Sequence, residues 1–136
     1  MSQPDYLACQ ISVVGKRWTV YFCPKSYFKR RHKKEFKGKP SGTAAFVVCD
    51  DRKMYLRTSS LKRETIVHEL THSYLWELCL WSLRHKDSEA PIEEVEEAFC
   101  EMMAKYGKQI LKQTESILQS YRSLKKRCDA NDLQDT

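Results

Sequence analysis

The stretch TIVHELTHSYLW, Thr65 to Trp76, sets two histidines four residues apart with a glutamate beside the first. On a helix, positions i and i+4 project from one face, so the ring nitrogens of His68 and His72 can share one tetrahedral zinc ion. Glu69 lies about 100° further around the helix, within reach of a water on that metal. Such a set suits metal-assisted hydrolysis. Zinc lowers the pKa of its water towards about 7, and a carboxylate bonded to that water takes its proton as it attacks a carbonyl. A zinc that only held the fold would need no general base, so Glu69 favours catalysis over a purely structural site.

The flanking positions extend the motif. Thr65 and uncharged Ile66 precede it, uncharged Leu70 and Thr71 lie between the histidines, and Ser73 and apolar Tyr74 follow. With them the stretch resembles the extended zinc-binding signature of the zincin metallopeptidases. HELTHSYLWE followed by EEAFCEMMAKYG is similar, over about Leu61 to Leu111, to small gluzincin-type proteins of bacteriophages and mobile elements, relatives in pattern of ImmA/IrrE-type peptidases. The resemblance implies a Zn2+ cofactor, a protein or peptide substrate, and a third ligand from a glutamate on the following helix. That ligand is the second Glu of EEAFCE, which is Glu97. It also implies a β-sheet against the motif helix, whose edge strand, TAAFVVCD or KMYLRTS, holds an extended substrate by backbone pairing.

Helix phase bears on the same choice. Glu97 shares its side with Cys100, Ala104 and Gly107, small residues that would permit close approach to the histidine helix, whereas Glu96 lines up with Phe99, Met103 and Tyr106, a face suited to core. Glu101, one turn after Glu97, is expected to orient a ligand histidine or to serve as an alternative ligand, as is Glu96. His32 is expected to be solvated and His85 to point elsewhere, so neither is a ligand; no spacing singles out an oxyanion-stabilising residue.

The elements that must position this set run from strands to helices. CQISVV and RWTVYFC, joined at Gly15-Lys16, read as one hairpin, and TAAFVVCD and KMYLRTS, separated by Asp51-Arg52, as another. Between them a basic arm, residues 25–39, helical or irregular, carries eight Lys or Arg against one Glu. From Leu61 helical spacing takes over, with Ser59 or Ser60 as N-cap and Val67, Leu70, Tyr74, Leu78 and Trp81 as the buried stripe. Pro91 suits the first turn of a last helix over about Ile92 to Lys126, kinked at Gly107. The reading is one α+β domain over residues 1–136, a minimal zincin-like fold. Residues 1–58 are mainly a small antiparallel sheet of two hairpins, 59–126 are helical and hold the zinc site, and 127–136 form a frayed tail.

Composition sets the remaining bounds. With 41% hydrophobic and 31% charged residues the chain is expected to fold rather than remain disordered. Six singly scattered cysteines suggest reduced thiols, and MSQPDYLACQ has no signal-peptide pattern. The longest apolar cluster, Tyr74 to Leu83, falls short of the roughly 18 residues a membrane span needs. The expectation is a cytoplasmic protein without membrane contact and of undetermined oligomeric state. Charge is unevenly spread: against the basic arm, Asp87 to Glu101 carries seven acids and no base. Lys29, Arg30, Arg31, Lys33 and Lys34 could contact nucleic acid. The alternative reading is therefore a nucleic-acid-associated regulatory or binding protein, with zinc structural or proteolysis aimed at DNA-bound proteins.

Overall fold

The computed structural model describes residues 6–36, 43–80 and 92–134. Both expected hairpins form: β1 (Leu7–Val13) pairs antiparallel with β2 (Lys16–Cys23), and β3 (Ala45–Val48) with β4 (Lys53–Arg57). The first turn falls one residue earlier than expected, on Val14 and Gly15, with φ of 49° and 76°. Two positive φ values are what a tight two-residue hairpin turn requires. Gly15 meets that freely, whereas the β-branched Val14 is strained there. In the second hairpin a 3-10 turn, Cys49–Asp51, leads into Arg52 at φ 53°.

The sheet departs from the expected all-antiparallel form where the hairpins meet. β2 and β4 run parallel, in the order β1-β2-β4-β3. The basic segment forms a helix, α1 (Lys25–Glu35), and a crossover of this kind is what parallel neighbours require. Strand alternation then divides the side chains between two layers. Trp18, Val20, Phe22, Met54 and Leu56 meet Ile66, Leu70 and Tyr74 of α2 (Arg63–Glu77) and Ile110 and Ile117 of α3 (Ile92–Gln134). On the other face Cys23, Phe46 and Tyr55 meet Phe28 of α1. The fold is α+β, a mixed four-stranded sheet with helices on both faces.

Helix ends differ from expectation for local reasons. Ser59 and Ser60 lie in a 3-10 turn, Thr58–Ser60, where the Ser60 hydroxyl accepts a 2.8 Å hydrogen bond from Arg57, so α2 begins later, at Arg63, without a side-chain cap. α3 continues without a break through Gly107 and runs to Gln134, where a frayed tail from residue 127 was expected. Trp81, His85, Pro91, Lys37 and Lys39 lie outside the described residues. All six cysteines are free, and among the described residues no helix is long and apolar enough to cross a membrane.

One polar contact fixes α2 on the sheet. Glu77, its last residue, accepts hydrogen bonds from the fully buried Trp18 indole at 2.9 Å and from Arg52 Nε at 2.5 Å. Burial works to raise the Glu77 pKa, but the bonds from Arg52 and Trp18 outweigh it and hold the carboxyl below its usual 4.5. A depressed carboxyl stabilises the fold above its unfolded pKa and loses that contribution as pH falls through the folded value. Glu77→Ala is expected to destabilise by about 1–3 kcal/mol near neutrality, because it strands the indole N–H. Glu77→Gln should lose less, since it keeps an acceptor. Chemical denaturation across pH checks both: the gap between parent and Glu77→Gln should narrow as pH falls below 4.5.

Candidate functional site

Rotation of α2 about its axis decides what each motif residue faces. Ile66, Leu70 and Tyr74, spaced four apart, are fully buried, and Ser73 joins them. Its hydroxyl is satisfied within the helix by donating to the Glu69 carbonyl at 3.0 Å, as Thr71 donates to Val67 at 2.7 Å. The buried face is thus centred one residue before the expected Val67, which is only half-buried. At about 100° per residue, His68 and His72 lie roughly opposite this face and Glu69 to one side of it. His68 is exposed and His72 half-buried.

The histidines are brought together as the spacing predicts. Their Nε2 atoms are 3.1 Å apart and the rings are nearly perpendicular, at 81°. The contact is itself an N–H···N hydrogen bond between the rings; two nitrogens each about 2.0–2.1 Å from one tetrahedral zinc would be separated by roughly 3.3 Å, so the spacing is also close to that of two corners of such a site. Glu69 is 6% exposed, and burial alone raises its carboxyl to about 7. It borders a cleft of about 370 Å³ lined also by Thr43, Ala44, Ala45, Glu64, Thr65 and His68.

The other wall of that cleft is the edge strand β3. Of the two strands that could have served, β4 is interior, and among the described residues no strand pairs with the outer side of β3. The Arg57 N–H donates to the Ala44 carbonyl, so residues 44 and 57 form a hydrogen-bonded pair. Alternation along an antiparallel ladder then makes 46 and 55 the next such pair and turns the N–H and C=O of Ala45 and Val47 outward. Sequence periodicity marks both strands as apolar but not which one is the edge, because edge status depends on the distant pairing of β2 with β4.

The glutamates of α3 are not brought to the histidines. On α3, Met102 is buried and Val95, Ala98 and Tyr106 are half-buried, and Glu97 lies nearly opposite Val95 and Tyr106, exposed. Cys100 and Ala104 are exposed with it, whereas Gly107 on the same side is buried; Phe99 and Met103, expected as core, are 43% and 37% exposed, whereas Tyr106 on their side packs on Tyr74. Glu96 is exposed as well. Glu101 borders a second cleft, with Leu78, Leu80 and Met102, at the far end of α2. α3 meets α2 on the flank of Arg63, which pairs with Glu115, and Tyr74, whose hydroxyl donates to Gln113 at 2.6 Å. The histidines face away from that flank. Among the described residues no third His, Cys, Asp or Glu joins them closely enough to hold a metal.

No family model, curated protein or solved structure matches this chain.

Two residues of the basic helix also differ from expectation. His32 is buried rather than solvated, at 8% exposure, against Phe28, Phe36 and Phe46. Arg31 turns inward, donating to the Tyr55 hydroxyl at 2.9 Å, whereas Lys29, Arg30, Lys33 and Lys34 are exposed.

Because the Glu69 carboxyl titrates higher when folded, the metal-free fold keeps this contribution below the unfolded pKa of 4.5 and loses it as pH rises through about 7. Metal-free Glu69→Gln is therefore expected to be more stable than the parent at pH 8, by roughly 1–3 kcal/mol, and no more stable at pH 4. Urea melts at the two pH values, with chelator present, check this.

Proposed function

We propose that this chain is a zinc-dependent metallopeptidase, a minimal gluzincin-like zincin that hydrolyses peptide bonds in protein or peptide substrates. The observation that carries the reading is the His68 and His72 Nε2 pair, 3.1 Å apart, with His68 and the buried Glu69 lining a cleft bordered by Ala44 and Ala45 at the edge of the sheet. Bound zinc supplies a Lewis acid and a water acidic enough to be deprotonated near neutral pH. His68 and His72 hold it through Nε2. Glu69 takes the proton of the attacking water and passes it to the leaving amine nitrogen. The outward N–H and C=O of Ala45 and Val47 orient an extended substrate by strand addition, and the small side chains of Ala44 and Ala45 leave the cleft open to it.

The third ligand is proposed from the resemblance as Glu97, with Glu101 and Glu96 as alternatives. Glu64, one turn before His68, also lines the cleft, although neither it nor any other described carboxylate stands close enough to both histidines to complete a metal site.

Metal analysis and a peptide-cleavage assay test the reading together. Glu69→Gln is expected to keep zinc and lose hydrolysis, and His72→Ala to lose both; cleavage by Glu69→Gln at the parent rate would end the proposal. Zinc affinity across Glu64→Ala, Glu96→Ala, Glu97→Ala and Glu101→Ala assigns the third ligand. Under the resemblance Glu97→Ala loses the metal and Glu101→Ala costs about 10–100-fold. A loss confined to Glu64→Ala would place the ligand on α2.

Val47→Pro removes an outward N–H without breaking the ladder to β4, an edge position that proline tolerates. It is expected to lower kcat/KM several-fold, about the worth of one hydrogen bond, with zinc content unchanged. An unchanged kcat/KM would show that substrate does not pair with this edge.

A further inference from the structure

The exposed half of α1 carries a charge pattern that folding alone does not explain. Lys25, Ser26, Lys29, Arg30, Lys33 and Lys34 are all exposed and together sweep about 180° of the helix surface. None of these positions of the helix is an acid. The helix's one glutamate, Glu35, is on the other side, 3.9 Å from Arg31. Lys25 with Lys29, Lys29 with Lys33, and Arg30 with Lys34 are like-charge pairs four residues apart, which weaken a helix. Lys25 also stands in a first turn without acids, where a cation opposes the helix dipole. Only Lys33 and Lys34, in the last turn, suit that dipole. A helix that repels itself along one face gains stability when a polyanion covers it.

We propose that this outward face of α1 binds the phosphate backbone of a nucleic-acid duplex, independently of sequence. The five cations span about 14 Å of helix axis, and a duplex presents a charge every ~1.7 Å, so several phosphates meet them at once. The face has no Asn, Gln, Asp or Glu to read adenine or cytosine edges, and its Lys and Arg, which can also read guanine, are here assigned to phosphate, so the face positions rather than specifies. Two other partners fit less well. Bases of a single strand need a row of open ring faces, but the neighbouring tyrosines are engaged with one another and with Arg30: Tyr6 packs on Tyr21 and Tyr27, and Arg30 lies over Tyr27, which leaves Phe36, 43% exposed at the end of α1, as a single ring rather than a stacking row. A membrane surface needs an apolar face to insert, and that of α1, Phe28 and His32, is already packed against Phe46. The exposed glutamates Glu93, Glu94, Glu96 and Glu97 belong to α3, which packs on the opposite face of the sheet. The inference does not rest on the hydrolytic reading, since binding is measured without turnover.

Fluorescence anisotropy of the full chain with a mixed-sequence 24-base-pair DNA duplex tests it. Between 50 and 200 mM KCl the affinity is expected to fall roughly 10²–10³-fold, as for about five phosphate contacts. K29Q/K33Q should make the log–log salt slope shallower by about two, and K25Q/K29Q/R30Q/K33Q/K34Q should lose at least about tenfold in affinity at 100 mM KCl. The charge-matched control K108Q/K112Q/K125Q/K126Q/R127Q on α3 should keep binding, with circular dichroism confirming that each variant is folded. The proposal is overturned by any of four results: no duplex binding by the parent at 50 mM KCl, an equal loss in the α3 control, tighter binding of the corresponding single strand, or tighter binding of phosphatidylserine vesicles than of duplex at equal salt.

Discussion

The rotational setting of α2 is the constraint on which the site depends. Ile66, Leu70 and Tyr74 bury one narrow face, but apolar packing is non-directional and tolerates some roll of the helix. The Glu77 carboxylate does not. It must meet the Trp18 indole of one strand and the Arg52 guanidinium of a turn at the same time, and hydrogen bonds weaken steeply off their preferred angles. With that end fixed, Glu69 falls at the cleft and the histidines clear the core. A roll of one residue, about 100°, would place an imidazole where Glu69 now sits and turn the carboxylate elsewhere.

Much of this was legible in the sequence, and what was not follows a physical division. The histidine pair, both hairpins and the long last helix depend on spacings of a few residues, and the chain states them directly. The parallel pairing of β2 with β4 joins residues more than thirty positions apart and has no local signature. Helix phase was readable where large apolar residues mark it, as at Leu70 and Tyr74, but not at the start of α3. There Val95, Ala98 and Met102 carry the packing between more numerous glutamates, and small residues at Cys100 and Ala104 looked like a contact face while being exposed. Glu97 is exposed, on the side of α3 away from Val95 and Tyr106.

Arg31 and His32 show the same limit at the scale of single side chains. In a run of cations nothing local marks one arginine for the interior. What selects Arg31 is the Tyr55 hydroxyl, which comes from a strand more than twenty residues away. The ring of His32 serves as an aromatic surface among Phe28, Phe36 and Phe46, and its buried Nδ1 has no hydrogen-bond partner among the described residues. Polarity in the sequence predicted solvent; shape decided otherwise.

α3 has 43 residues and so extends about 65 Å, whereas the longest strand, with eight residues, covers about 27 Å. One helix therefore outreaches the sheet it packs on, and its exposed Lys125, Lys126 and Arg127 lie beyond its last residues packed on the core. A body with one such axis tumbles anisotropically in solution. Rotation about α3 is faster than rotation end over end, so the amide bonds of α3, aligned with that axis, relax differently in NMR from those of the strands even where both are equally rigid.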